Sequence, residues 1–372
     1  MFNLFVLLFT MSSISAQTMQ PSDPIVVADN DGNLDAVQAL STHLLDDARQ
    51  RKSTGKAGYG AQYRRAAWAA FDESSTGDAS VSVTILQELI AAPETTFDTY
   101  DAYRMLGQMH ARPGSWAQAR DYYETAKLIT EAEPILVDRH PKVFVSVCQG
   151  LAIANTASQN YEDSLAASIA LRDHSSDSIS HNVRRNAAYA ALETARKLND
   201  LSIYTSAWDT LESRFPERLS GRKGVVSRYI HALTLAELSD QNERVLLEEL
   251  WGQQNIRNHD HCIIVGVTLA DSWVTGEESQ QNADFAFIVL KEIWTAISTN
   301  ETIWISHAQG NQSRIDSLNG KIKSVLVRLI ETAIGLNEHN EAMGFINEFI
   351  TRYGDSDSRG ESWLEQLSNQ TP

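Results

Sequence analysis

Two short runs carry the residue types from which metal sites are built. Asp29-Asn30-Asp31-Gly32-Asn33-Leu34-Asp35 alternates oxygen side chains around a glycine, the composition of a calcium loop. With Gly32 as the turn glycine, however, the first ligand position falls on Val27 and no bidentate Glu stands downstream. The run therefore reads as a polar linker capping the first helix. Asn258-His259-Asp260-His261-Cys262 gathers three soft-metal donors. On a helix His259 and Cys262 share a face while His261 points elsewhere. The expected arrangement is Asp260 as a helix cap, with Cys262 facing a core of Ile263, Ile264 and Val267. No metal or other cofactor is expected.

Nucleophilic and phosphate chemistry leave no trace at motif level. There is no G-x-S-x-G, no P-loop and no H-E-x-x-H, and Gly221-Arg222-Lys223-Gly224 is too short to cradle a phosphate. Carboxylates are plentiful, but on helices they read as solvated faces, so the chain is not expected to be an enzyme. Trp116, Trp208 and Trp251, of eight tryptophans, fall within helical periodicity and read as core rather than as platforms for sugar rings. Forty-eight acidic against 31 basic residues give a formal charge of −17, which repels phosphate backbones and excludes nucleic acid as a partner.

Residues 1–16 set the expected compartment. An apolar run from Met1 to Phe9, too short to span a bilayer, is followed by small residues ending at Ala16; this is the order of a cleaved export signal, here without a Lys or Arg in front. No Cys lies near Ala16 for lipid attachment. The chain is expected to be exported, periplasmic or secreted, with no stable membrane insertion after cleavage. In a eukaryotic secretory route Asn300, Asn311 and Asn369 would head N-glycosylation sequons. An oxidising compartment invites a disulfide between Cys148 and Cys262, but about three helical repeats between them would put the pair beyond bridging distance. Both are expected to be free, buried thiols.

The elements behind these residues are helices. Residues 17–34, with Pro21, Pro24 and the polar run, read as a flexible leader. From Asp35 apolar residues recur at helical spacing, in blocks separated by polar punctuation such as Pro113-Gly114-Ser115, Ser158-Gln159-Asn160 and Leu198-Asn199-Asp200. Short connections make neighbouring helices antiparallel, so the unit is a hairpin. Pro93, Pro134 and Pro216, separated by 41 and then twice 41 residues, mark hairpin ends near a 40-residue period. Helical repeats are expected over 35–367 and a disordered tail over 368–372, with an insertion around Thr299 to Leu318 whose tip is Gly310-Asn311-Gln312-Ser313.

The clearest unit runs from Tyr100 to Glu133. Tyr103, Leu106, Gly107 and His110 line a first helix, Pro113-Gly114 ends it, and Trp116, Ala119, Tyr123 and Ala126 line a second. Ser115 and Gln118 have capping-box spacing. Gly107 and Ala119 are small where two backbones must approach. This order resembles the tetratricopeptide repeat at nearly every signature position. Weaker echoes lie at Cys148, Leu151, Ala152, Tyr161 and Ser164; at Tyr229, Leu233 and Val245, with Asp240 and Glu243 as a second capping box; from Leu326 to Phe349; and at Ala66, Ala70, Leu86 and Leu89. Hairpins at 183–215 and 261–299 have the length without the signature.

The resemblance implies an all-α superhelical array of stacked antiparallel hairpins, continuous because no hairpin buries its apolar face alone. It further implies a scaffold or adaptor that binds a protein or peptide on its first helices. Carried onto this sequence, that groove holds Asp101, Arg104, Gln108, Arg112, Ser146 and Gln149. Two arginines there favour an acidic peptide segment or chain terminus. A glycan-binding or transport-associated helical protein resembling the SusD group is the alternative, disfavoured by modest length and the missing lipid-attachment cysteine.

Overall fold

A computed structural model describes residues 34–72, 79–239, 242–274, 281–308, 310–354 and 356–370. Among them are seventeen α-helices, two 3₁₀ turns and no strand. The all-α expectation holds, and the helices pack against their neighbours in sequence order. Contacts divide the chain into two compact units, Met1–Leu211 and Glu212–Pro372. The calcium-like run at 29–33 and the export segment lie outside the described residues.

Unit 1 holds α1 (Leu34–Ser53), α2 (Tyr59–Asp72), α3 (Ser80–Ala91), α4 (Thr96–Ala111), α5 (Trp116–Ala132), the short α6 (Ile135–Arg139), α7 (Pro141–Ala157), α8 (Tyr161–Asp173) and α9 (His181–Lys197). The unit boundary falls inside α10 (Leu201–Arg214). Helices α2/α3, α4/α5 and α7/α8 are hairpins, and the first helices also touch one another, α2 on α4 and α4 on α7. Pro93 and Pro134 fall at hairpin ends. Pro134 also opens α6, where a missing N–H costs nothing.

The turns within hairpins repeat in conformation more faithfully than in sequence. Two residues before α5, α8, α10 and, in unit 2, the helix that starts at His339 stands a residue with positive φ: Gly114 (83°), Gln159 (62°), Asn199 (55°) and Asn337 (60°). The next residue's N–H reaches back five positions, Ser115 to His110, Asn160 to Asn155 and Glu338 to Ala333. This is the paired closure of a Schellman motif, which satisfies the carbonyls left over at a helix C-terminus.

The small residues act as the sequence suggests. A Cβ on Gly107 would lie 2.7 Å from the Tyr123 ring, and one on Gly150 2.3 Å from the same ring. Tyr123 of α5 is therefore inserted between α4 and α7, with no exposed surface. In the next hairpin Ser164 Oγ donates to the Ala152 carbonyl at 2.8 Å. Two expected caps differ. Ser115 makes no side-chain cap, because its backbone (φ −76°, ψ 62°) is occupied with the tight turn rather than extended. The capping box of this hairpin lies instead at Thr95 and Asp98, opening α4. Asp240 lies outside the described residues, and Asn242 caps the following helix.

Unit 2 begins with a 3₁₀ turn at Pro216–Leu219 and continues through α11 (Gly221–Ser239), α12 (Glu243–Trp251), α13 (Cys262–Val274), α14 (Gln281–His307), α15 (Gln312–Gly335), α16 (His339–Tyr353) and α17 (Arg359–Gln370). Gly266 of α13 has no room for a Cβ, with Ile293 at 2.6 Å and Trp251 at 2.9 Å; it places the signature-poor hairpin at 261–299. Leu326, Leu329, Ala333, Ala342, Ile346 and Phe349 are all fully buried. Three expectations are corrected. The insertion at 299–318 is mostly helix, because Ile297, Trp304 and Ala308 continue a buried stripe and Trp304 Nε1 donates to the Asn258 carbonyl at 3.1 Å. Val245 is 47% exposed, the buried positions of α12 being Leu247, Leu250 and Trp251. Finally, 368–370 belong to α17, anchored by Trp363 and Leu367.

Candidate peptide-binding face

Four of the six residues assigned to the groove meet in one polar chain. Spacings of three and four on α4 put Asp101, Arg104 and Gln108 on one stripe. Arg104 Nε donates to Asp101 Oδ1 at 2.6 Å and Arg104 Nη1 to Gln108 Oε1 at 2.6 Å. Gln108 Nε2 then donates to Ser146 Oγ of α7 at 3.3 Å. Arg112 stands apart at the end of α4, exposed, with its guanidinium 4.4 Å from the Phe71 ring centroid. Gln149 is half-buried on α7.

Burial changes what these groups can do. Arg104 is 3% and Asp101 8% exposed, and Ser146 is buried beside them. The guanidinium fork of Arg104 is thus committed inside the protein. Two further charges from outside the assigned set complete the network: Arg64 of α2 pairs with Asp98 and, through Nε at 3.2 Å, with Asp101. Two arginines face two aspartates, so the cluster is neutral and every ion has an opposite neighbour, the condition for charge to survive burial. Arg64 also lies 4.8 Å from the centroid of Phe97, which stacks on His140 at 3.6 Å. Burial lowers the pKa of both Arg64 and His140.

The N-terminus of α2 explains how Arg64 reaches this position. Glu94 accepts the Gly58 N–H at 2.7 Å and the Gly60 N–H at 2.9 Å, a carboxylate seated on the positive end of a helix. Those bonds hold its pKa below the ordinary 4.5. A Cβ on Gly60 would sit 2.3 Å from the Asp98 carboxylate, so glycine there lets α2 and α4 approach. The sequence signals for Arg64 and Asp98 were an Arg-Arg pair in an acidic chain and the Thr95-x-x-Asp98 spacing; neither names its partner helix.

Around this neutral centre charge is sorted by helix. In unit 1 the first helices α2, α4, α7 and α9 carry eight basic against four acidic side chains, whereas the second helices α3, α5 and α8 carry three against seven. Some of the basic groups serve the fold. Arg184 donates to the carbonyls of Ile179 (3.2 Å), Arg172 (3.3 Å), Ser176 (2.6 Å) and His174, tying the end of α8 to α9.

At the second metal-like run Cys262 is fully buried among Ile263 and Val265, and Asp260 Oδ1 lies 3.1 Å from His261 Nδ1. No group of three His, Cys, Asp or Glu among the described residues is placed to hold a metal. Cys148 and Cys262 are free and buried, and burial pushes each thiol up to about 12. Among the described residues no helix is long and apolar enough to cross a membrane. No family model matches the sequence, and no curated protein matches it.

Proposed function

We propose that this chain is an exported, non-catalytic repeat scaffold that binds an acidic peptide segment or chain terminus on the first helices of unit 1. The observation that carries the reading is the sorting of charge between alternate helices: basic side chains outnumber acidic ones on the first helices, of which α2, α4 and α7 touch in turn, and acidic outnumber basic on the second helices between them. Such a field attracts carboxylates although the whole chain is acidic. The buried Arg64-Asp98-Asp101-Arg104 cluster serves as a rigid floor, and contact falls to the accessible groups Arg112, Gln108 and Gln149. Five of the eight tryptophans are buried, and of the half-buried ones Trp273 is already covered by Arg244 and Phe285. This favours peptide over stacked sugar.

The test is fluorescence anisotropy of a labelled Asp/Glu-rich decapeptide, beside its Lys counterpart, against the chain lacking residues 1–16. Arg112→Glu/Gln149→Glu is expected to weaken the acidic peptide at least tenfold at unchanged helicity. An unchanged affinity would remove the site from this face. Failure of every acidic peptide to bind would end the acidic-ligand reading.

A further inference from the structure

Unit 2 carries an apolar surface that its own core does not use. Val245 of α12, Val274 of α13, and Phe285 and Ile288 of α14 are 47, 58, 51 and 49% exposed. A stack of rings joins the three helices. The Arg244 guanidinium lies 4.0 Å from the Trp273 centroid, and Phe285 stacks on Trp273 at 4.8 Å with 22° between the planes. Phe285 and Ile288 are one turn apart and face the same way.

The charge around this patch is one-sided. Helices α12, α13 and α14 carry seven carboxylates against two basic side chains; Asp271, Glu292 and Glu301 pair with Arg328, Arg257 and Arg352, which leaves Glu243, Glu248, Glu249 and Asp284. Both basic groups are engaged, Arg244 on Trp273 and Lys291 with Glu341 at 3.3 Å and with the Phe287 ring at 4.5 Å. Glu248 and Asp284 are exposed, a turn away from Val245 and Ile288 respectively. An acidic rim around an apolar, aromatic centre complements a segment that presents apolar residues on one helical face and Lys or Arg beside them. The same rim disfavours a second copy of this face, which would set like charges against each other, and an anionic lipid surface.

We propose that this face of unit 2 docks a basic amphipathic helix of a protein partner. The apolar side of that helix covers Val245, Phe285 and Ile288, and its basic flank meets Glu248 and Asp284. The site is independent of the acidic-peptide face of unit 1, and its test uses different variants.

The probe is an amidated, fluorescein-labelled 18-residue peptide of Leu and Lys at helical spacing, titrated at 0.15 M salt beside a scrambled peptide of the same composition. Saturable binding to the full chain is expected, at least tenfold tighter than for the scrambled peptide. Phe285→Ser/Ile288→Ser and, separately, Glu248→Lys/Asp284→Lys are each expected to weaken it at least tenfold. Glu124→Lys/Glu131→Lys, on exposed positions of α5 with the same change in net charge, is expected to leave it unchanged. Equal binding of the scrambled peptide, equal loss in the α5 variant, or no saturable binding would overturn the proposal. So would a dimer of the parent chain that Phe285→Ser/Ile288→Ser dissociates, since the patch would then be a self-interface. If the Ser variant loses helicity, the Lys variant decides alone, because both of its positions are in solvent.

Discussion

An arginine in an acidic protein attracts some carboxylate, and the nearest one decides whether the ligand comes from outside. At Arg104 it is Asp101, 2.6 Å away and buried; at Arg112 the neighbour is an aromatic ring. The two arginines, equal in the sequence, therefore differ in what a charge reversal does. Arg104→Glu would set a third carboxylate against Asp98 and Asp101 and leave the cluster with an uncompensated buried charge, a loss of about 3–5 kcal/mol. Arg112→Glu removes one exposed cation–π contact, about 0.5–1 kcal/mol. Urea unfolding of the two variants measures the contrast, and equal losses would show that the buried cluster does not hold the fold. Helical spacing alone made Asp101, Arg104 and Gln108 legible as one stripe. It could not supply Arg64, because a residue on a neighbouring hairpin has no fixed offset in sequence.

At the scale of elements, one turn geometry recurs with changing residues. Gly114 adopts its left-handed conformation freely, whereas Gln159 holds the same conformation against the steric cost of its Cβ. Gln159→Gly is expected to stabilise the chain by about 0.5 kcal/mol and Gly114→Ala to destabilise it by about 1 kcal/mol. Thermal melts of the two variants read the opposite signs; a loss in both would mean that side-chain contacts of Gln159 outweigh its backbone strain. Apolar periodicity and polar punctuation located these helices, yet failed where tertiary packing overrode a local signal. Ser115 has the capping spacing but sits in the Schellman turn, and the polar stretch after Thr299 is pulled into helix by Trp304 and Ala308 finding a core.

At the scale of the molecule, packing moves protonation and so ties stability to pH. Burial lowers His140 and His174 and takes His231 to about 4, while Arg49 and Tyr63 hold Glu88, and the start of α2 holds Glu94, below 4.5. Each of these folded-state values lies below its unfolded one, so the stability they carry is present above the unfolded pKa and is lost as pH falls through the folded one. Melting temperature is expected to fall from pH 7, first through the histidines below 6.5 and then through the glutamates below 4.5. His231→Asn should flatten the first stage and Glu94→Gln part of the second; melts from pH 7 to 3 that do not fall would contradict the assignment. The two-unit division is also a property at this scale. No break in composition marks it, since the boundary falls inside α10 and the helical period runs through it.

The sequence by itself determined the class of element, the hairpin as the unit, the small residues where backbones cross and the burial of both cysteines. All of these follow from period, punctuation and side-chain volume, which are local. Only the tertiary structure decided which arginine is spent inside and which stays in solvent, that Tyr123 is shared by Gly107 and Gly150, and that Trp273 stacks on Phe285 while Phe285 and Ile288 stay open. Those outcomes depend on which helices become neighbours, and that is fixed by the packing of whole faces rather than by any single run of residues.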